Sequence, residues 1–119
     1  MEQSYLKERT KSFALGLIKL VESLPKGRTA DGIGRQLLDT GTSVGANYRA
    51  ACRPRSPADF ISKMGIVEEE TDESIYWMEL LIEAKLVQKN DISPLLEEAN
   101  QILAMTVSSI RTARRKTKR

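Results

Sequence analysis

The chain has 119 residues, the length of a single domain, and it is 40% hydrophobic and 5% aromatic with a formal net charge of +3. It contains no histidine and one cysteine, which excludes an internal disulfide and nucleophilic sites that depend on histidine. No run of about 18 apolar residues is present, and the N-terminal residues lack the basic-then-apolar order of a signal peptide, so we predict a cytoplasmic protein that does not cross a membrane.

Apolar residues recur at three- and four-residue steps along the chain, and alternation at every second residue is absent, which predicts helices and no strands. The first predicted helix spans about residues 4–24 and ends before Gly27. The second spans about residues 29–52. Because Gly41 and Gly45 each lower helix propensity by about 1 kcal/mol relative to alanine, we expect a neighbouring helix to approach closely at these positions.

Two serine–proline pairs carry signals for the start of a helix. Ser56 and Pro57 supply a cap residue followed by proline at the first helical position, which predicts a third helix from Pro57 to about Val87. Ser93 and Pro94 repeat the signal. They predict that the fourth helix begins there.

Four amphipathic helices with short connections favour an all-α fold, an antiparallel up-down-up-down four-helix bundle. We assign residues 1–112 to this bundle. After residue 112 only Ala113 remains as an apolar residue that could pack on it. We therefore predict that residues 113–119 form a basic, disordered C-terminal tail.

The third predicted helix carries a run of acidic residues at positions 68–73. Carboxylate-bridged metal sites in helix bundles pair each glutamate with a histidine three residues on, and the chain has no histidine. We therefore predict no metal, no cofactor and no enzymatic activity. The acidic run is interpreted as a solvated face, or as a partner for cations of the second helix or of another subunit. Cys52 is interpreted as a structural residue, since no histidine can activate its thiol.

Three polar or aromatic residues carry expectations about packing. Asn47 lies on or beside the apolar stripe of the second helix, and a buried amide must be hydrogen-bonded. We predict that it pairs with Thr71 or Ser74 of the third helix. Tyr76 and Trp77 are adjacent, so they face different directions, and we expect one of them in the core.

Two clusters of cations are candidate contacts to nucleic acid. One lies around the turn between the second and third helices, and the other occupies the last nine residues, which include six cations and no acid. No aromatic residue is interleaved with either cluster, which favours phosphate contacts over base stacking. The predicted nucleic-acid-binding residues are Arg49, Arg53, Arg55, Arg111, Arg114, Arg115, Lys116, Lys118 and Arg119.

Several short motifs stand in a specific order and spacing in the sequence. They are Ser43-Val-Gly-Ala-Asn47, Arg53-x-Arg-Ser56, Asp59-Phe-Ile-Ser-Lys-Met64, Glu68 to Glu73 and Tyr76-Trp-Met-Glu-Leu-Leu81. Together they resemble the bacterial four helix bundle protein family, also called the intervening-sequence protein family of large-subunit ribosomal RNA genes. The likeness extends from about Phe13 to Ile110. One departure is Arg49-Ala50-Ala51, where many members have Ala-Glu-Gly.

The resemblance implies an antiparallel four-helix bundle that assembles as a homopentamer and has no established enzymatic activity. A related branch, the accessory variability proteins of diversity-generating retroelements, is basic and works with nucleic acid and a reverse transcriptase. Two hypotheses follow for this chain. It is a homopentamer that binds RNA or DNA through phosphate contacts, or it is an assembly scaffold for a protein partner such as a reverse transcriptase.

Overall fold

A computed structural model describes residues 2–118, and these residues form four helices without a strand. The helices are α1 (Glu2–Glu22), α2 (Arg28–Ala51), α3 (Pro57–Glu83) and α4 (Lys89–Thr117). Each packs against its neighbours in chain order, and α4 closes on α1. The fold is the predicted antiparallel four-helix bundle, with an elongated body of 52 × 22 × 20 Å.

Glycines let α1 and α2 approach closely. A β-carbon added to Gly41 would lie 2.1 Å from Leu17 Cδ1, and one added to Gly45 would lie 3.1 Å from Thr10 Oγ1. Leu17 is fully buried. The expectation that these glycines face a neighbouring helix is therefore confirmed, and that helix is α1.

The predicted start of α3 is also confirmed. Ser56 has an extended backbone and its hydroxyl accepts a hydrogen bond from the Asp59 amide at 3.0 Å, while Pro57 occupies the first helical position. The Asp59 carboxylate in turn accepts hydrogen bonds from the Arg55 amide at 2.9 Å and from Lys63 Nζ at 2.8 Å. The bond from the Asp59 amide satisfies a donor that the first turn of a helix leaves without an intrahelical partner.

The predicted start of α4 is wrong. The helix is capped by Gln88 and begins at Lys89, so Pro94 lies inside it. Instead of capping, the Ser93 hydroxyl donates a hydrogen bond to the carbonyl of Lys89 one turn earlier, at 2.6 Å. The added first turn buries Ile92 completely, and this apolar contact compensates the amide hydrogen bond that Pro94 cannot donate.

The structure also differs from the predicted disorder after residue 112, because α4 remains helical to Thr117. Alanine, arginine and lysine are strong helix formers, and cations in a last turn interact favourably with the helix dipole. These residues nevertheless extend beyond the core. Ile110 is the last buried side chain of α4, and the described residues after it are exposed except for the half-buried Ala113. Arg119 lies outside the described residues.

The predicted partner of Asn47 is also wrong. Its amide donates to the carbonyl of Ser43 within α2, at 2.8 Å. The polar contact between α2 and α3 is made instead by two buried hydroxyls, with Ser74 Oγ donating to Thr40 Oγ1 at 2.9 Å.

Tyr76 and Trp77 separate as expected. Trp77 packs against the core, whereas Tyr76 is exposed and meets the Trp77 ring edge-on at a centroid distance of 5.1 Å. Trp77 Nε1 is buried and has no hydrogen-bond partner among the described residues.

Candidate nucleic-acid interface

The up-down-up-down topology brings the two predicted basic clusters to the same end of the bundle. Helix α2 ends where α3 begins, and α4 returns antiparallel to α3 to end at that same level. Arg49 lies in the last turn of α2, and Arg53 and Arg55 lie in the connection to α3. We call this end, together with the C-terminal turns of α4, the basic end.

The described cations of the basic end are accessible. Arg49, Arg53 and Arg55 are exposed, as are the predicted cations of α4 and its C-cap residue Lys118. The salt bridges between described side chains are Arg9–Glu98 and Lys63–Asp59, and neither involves a predicted nucleic-acid contact. These charges are therefore available to an external anion.

Four of the C-terminal cations share one face. Arg111, Arg114, Arg115 and Lys118 recur at steps of three and four residues on α4 or its C-cap, so they form one stripe of the helix. Lys116 lies on the other side of the same turns. Arg119, which was also predicted, lies outside the described residues.

Helix α4 projects beyond the start of α1. Arg9 of α1 donates hydrogen bonds to Glu98 and to Gln101 of α4, which sets the two helices side by side at this level. From there α1 has seven residues left to Glu2 and α4 has sixteen to Thr117. At 1.5 Å per residue, the end of α4 overhangs α1 by roughly 14 Å.

The acidic run of α3 has no cationic partner among the described side chains. Burial raises the pKa of the Glu70 carboxyl, and repulsion from Glu73, Glu69 and Asp39 raises it further. The charged residue of α2 that acts on Glu70 is therefore Asp39, an acid that repels it. The interpretation that this run pairs with cations of α2 does not hold within the chain.

Comparison with known proteins identifies the family. The profile described as "23S rRNA-intervening sequence protein" matches residues 2–108. The chain belongs to this family of 23S rRNA-intervening sequence proteins. This confirms the resemblance noted in the sequence, and the matched residues end before Arg111, so they cover the bundle without the basic turns of α4.

A solved structure resembles this intervening sequence protein over nearly its whole length. It is the crystal structure of a protein with unknown function from the S23 ribosomal protein family of Bacteroides thetaiotaomicron, 31% identical, with a TM-score of 0.86. The match covers 93% of this chain and 99% of that chain. The comparison with curated proteins gives no match.

Two lysines that the sequence analysis did not single out lie near the predicted contacts. Lys7 and Lys11 of α1 line the same groove as Arg49 of α2. Their spacing of four residues places them on one face of α1, a signal that was present in the sequence. The sequence did not show that this face of α1 lies beside the end of α2.

The described residues offer no metal-ligand cluster and no membrane-spanning helix. Residues 2–118 contain no group of three or more histidine, cysteine, aspartate or glutamate side chains placed to hold a metal ion. Cys52 is a free, half-buried thiol at the C-cap of α2. None of the described helices has the length and apolar character needed to span a membrane.

Proposed function

We propose that this intervening sequence protein is a non-enzymatic, cytoplasmic homopentamer that binds RNA or DNA through phosphate contacts. The observation that carries the proposal is the convergence of both basic clusters at one end of the bundle, where their described side chains are exposed and free of intrachain salt bridges. Phosphate contacts made by lysine and arginine release counterions and need no base-specific geometry. The expected binding is therefore salt-dependent and largely independent of sequence.

Filter binding across a salt series tests the nucleic-acid part. For six phosphate contacts on a duplex, the slope of log K against log salt is roughly −5. Neutralising four cations at the end of α4 (Arg114, Arg115, Lys116 and Lys118, each to Gln) makes the slope shallower by roughly 3.6.

The matched control neutralises four cations at the opposite end of the bundle (Lys19, Lys26, Arg28 and Lys89, each to Gln) and keeps the slope. Undetectable or salt-insensitive binding by the unaltered chain would contradict the proposal. If both variants lost affinity equally, the net charge of the protein, and not the basic end, would set the affinity.

The pentamer rests on the family resemblance and is tested separately. The chain has a mass of 13.3 kDa, and a closed ring of five copies scatters light as a particle of roughly five times that mass. Five copies would also present five basic ends, so weak contacts reinforce one another. A species of 13.3 kDa at micromolar concentration would refute the pentamer while leaving phosphate binding open to the filter assay.

The acidic run of α3 favours a second candidate function, a scaffold for a basic protein partner such as a reverse transcriptase. The carboxylates of Glu69, Glu73 and Asp39 repel that of Glu70. None of these acids forms a salt bridge with a described cation. Purification from the native host after nuclease treatment tests it. Recovery of one defined protein that is lost on Glu69→Gln/Glu73→Gln substitution supports the scaffold, and recovery of nucleic acid without a stoichiometric protein contradicts it.

A further inference from the structure

A groove of about 430 Å³ runs between the N-terminal half of α1 and the C-terminal half of α2. Small residues make this space: Ala14 of α1, and Gly45 and Ala46 of α2, line it. Gly45 has no side chain, and a β-carbon there would already lie 3.1 Å from the Thr10 hydroxyl. That hydroxyl is turned to its own helix, where it donates to the Lys7 carbonyl at 3.1 Å.

The rims of the groove carry positive charge. Lys7 and Lys11 lie one turn apart on α1, about 6 Å along the helix axis, and Arg49 faces them from α2. All three are exposed, and none forms a salt bridge with a described side chain. Glu8 is the acidic residue of the lining. The three cations outnumber it, so the rims keep a net positive charge.

We propose that this groove is a phosphate-binding site for the backbone of RNA or DNA, with Lys7 and Lys11 as additional phosphate-binding residues opposite Arg49. The inference rests on the proposed function and deepens it, because it assigns a path for the strand along the side of the bundle. Neither lysine belongs to the clusters that the sequence analysis identified.

The composition of the groove favours the sugar-phosphate backbone over a base or an apolar ligand. Its lining contains no aromatic residue and no large aliphatic side chain, so a base would find no surface to stack on. Lysine ammonium groups bind phosphate as point charges and impose no planar geometry. The groove also meets the basic end, because Arg49 lines the groove and lies in the last turn of α2.

The test compares two double variants of equal charge in the full-length chain. Lys7→Gln/Lys11→Gln removes the cations of the groove, and Lys19→Gln/Lys89→Gln removes two exposed cations near the other end of the bundle. The first makes the salt slope shallower by roughly 1.8 on duplex DNA and roughly 1.4 on single-stranded RNA. It weakens binding at 0.1 M salt by roughly tenfold or more. The second leaves both quantities unchanged.

A further variant keeps both lysines and changes the groove itself. Ala46→Glu places a carboxylate at an exposed lining position, and Ala104→Glu adds the same charge to an exposed position of α4. We expect Ala46→Glu to weaken binding at least as much as the lysine double variant, because it repels phosphate directly, and Ala104→Glu to have a smaller effect. Circular dichroism of each variant confirms that the helices are retained.

The outcomes separate the two proposals. If the groove variants bind like their controls while neutralisation of the α4 cations abolishes binding, the groove inference is wrong and the proposed function stands. If the unaltered chain binds neither duplex DNA nor single-stranded RNA, both are wrong.

Discussion

Single residues set how α2 lies against α3. Thr40 and Ser74 are buried. The Ser74 hydroxyl donates to Thr40 Oγ1 at 2.9 Å, and the Thr40 hydroxyl is in turn directed to the Leu37 carbonyl. A polar pair in an apolar interface is satisfied only in one register. This contact therefore favours the observed alignment of the two helices.

We predict that Ser74→Ala lowers the free energy of unfolding by about 1 kcal/mol, because it removes a buried hydrogen bond. A double-mutant cycle with Thr40→Val, measured by chemical denaturation at one protein concentration, isolates the contact between the helices. Ser62→Ala, an exposed serine of the same helix, is the control and changes stability by less than about 0.5 kcal/mol. Additive effects of Ser74→Ala and Thr40→Val would contradict a direct contact.

The N-cap of α3 carries a pH dependence. Hydrogen bonds from Lys63 and from the Arg55 amide lower the pKa of the Asp59 carboxyl below its ordinary value of 3.8. A carboxyl whose pKa is lowered by folding stabilises the fold above its ordinary pKa and loses that contribution as the pH falls through the folded value.

Asp59→Asn should therefore destabilise the protein at pH 6, and the difference from the unaltered chain should shrink as the pH falls below the ordinary aspartate pKa of about 3.8. Thermal unfolding followed by circular dichroism between pH 6 and pH 2 measures this. Asp72→Asn, at an exposed aspartate of the same helix, serves as the control. A destabilisation that stays constant over this range would contradict the assigned role of the carboxylate.

At the scale of the helices, the contact between α1 and α2 depends on the absence of a side chain at Gly41. Gly41→Ala gains about 1 kcal/mol of helix propensity but pushes a methyl group into the fully buried Leu17. Overpacking of this kind costs about 1–3 kcal/mol, so we predict net destabilisation of about 1 kcal/mol.

Gly32 in the same helix is the matched control, because a β-carbon there meets nothing within 4 Å. Gly32→Ala should stabilise the protein by about 0.5–1 kcal/mol through helix propensity alone. Opposite signs for the two substitutions in urea denaturation are the expected result. Stabilisation by both would mean that Leu17 moves aside without cost.

The starts of α3 and α4 explain what the sequence could and could not predict. Ser56–Pro57 begins a helix and Ser93–Pro94 does not, although the two pairs carry the same local signal. The difference is tertiary: Ile92 is completely buried when the turn before Ser93 is helical. Local capping rules omit that burial energy, so they placed the second start five residues late.

At the scale of the whole molecule, one ion pair joins the first helix to the last. The Arg9 guanidinium donates to the Glu98 carboxylate, and both side chains are less than a third exposed. Gln101 accepts a further hydrogen bond from Arg9 at 2.8 Å. These contacts join α1 to α4, which form the smallest of the four helix–helix interfaces.

We predict that Glu98→Gln lowers the free energy of unfolding by about 1 kcal/mol at low salt and by less at 1 M salt, since salt screens partly exposed pairs. Glu97→Gln, at the exposed neighbouring position, is the control. An effect of Glu98→Gln that does not depend on salt would assign its role to packing and not to charge.

The bundle was predictable from the sequence, and its predicted up-down-up-down topology already implies that the α2–α3 connection and the end of α4 lie at the same end. Helical periodicity and short connections are local properties, so they predicted four helices correctly. Arg53 and Arg114 are far apart in the sequence, and only the topology places them at one end. Lys7 escaped notice because its significance depends on Arg49 across the groove.

The segregation of charge along the body makes the molecule a permanent electric dipole. Residues 64–98, with ten acids and two cations, run from the middle of α3 through the turn opposite the basic end and into the first part of α4. In the field of a polyanion this dipole experiences a torque that turns the basic end forward before contact. Because the Debye length at physiological salt is about 8 Å, against a body 52 Å long, that orientation develops only during the last part of the approach.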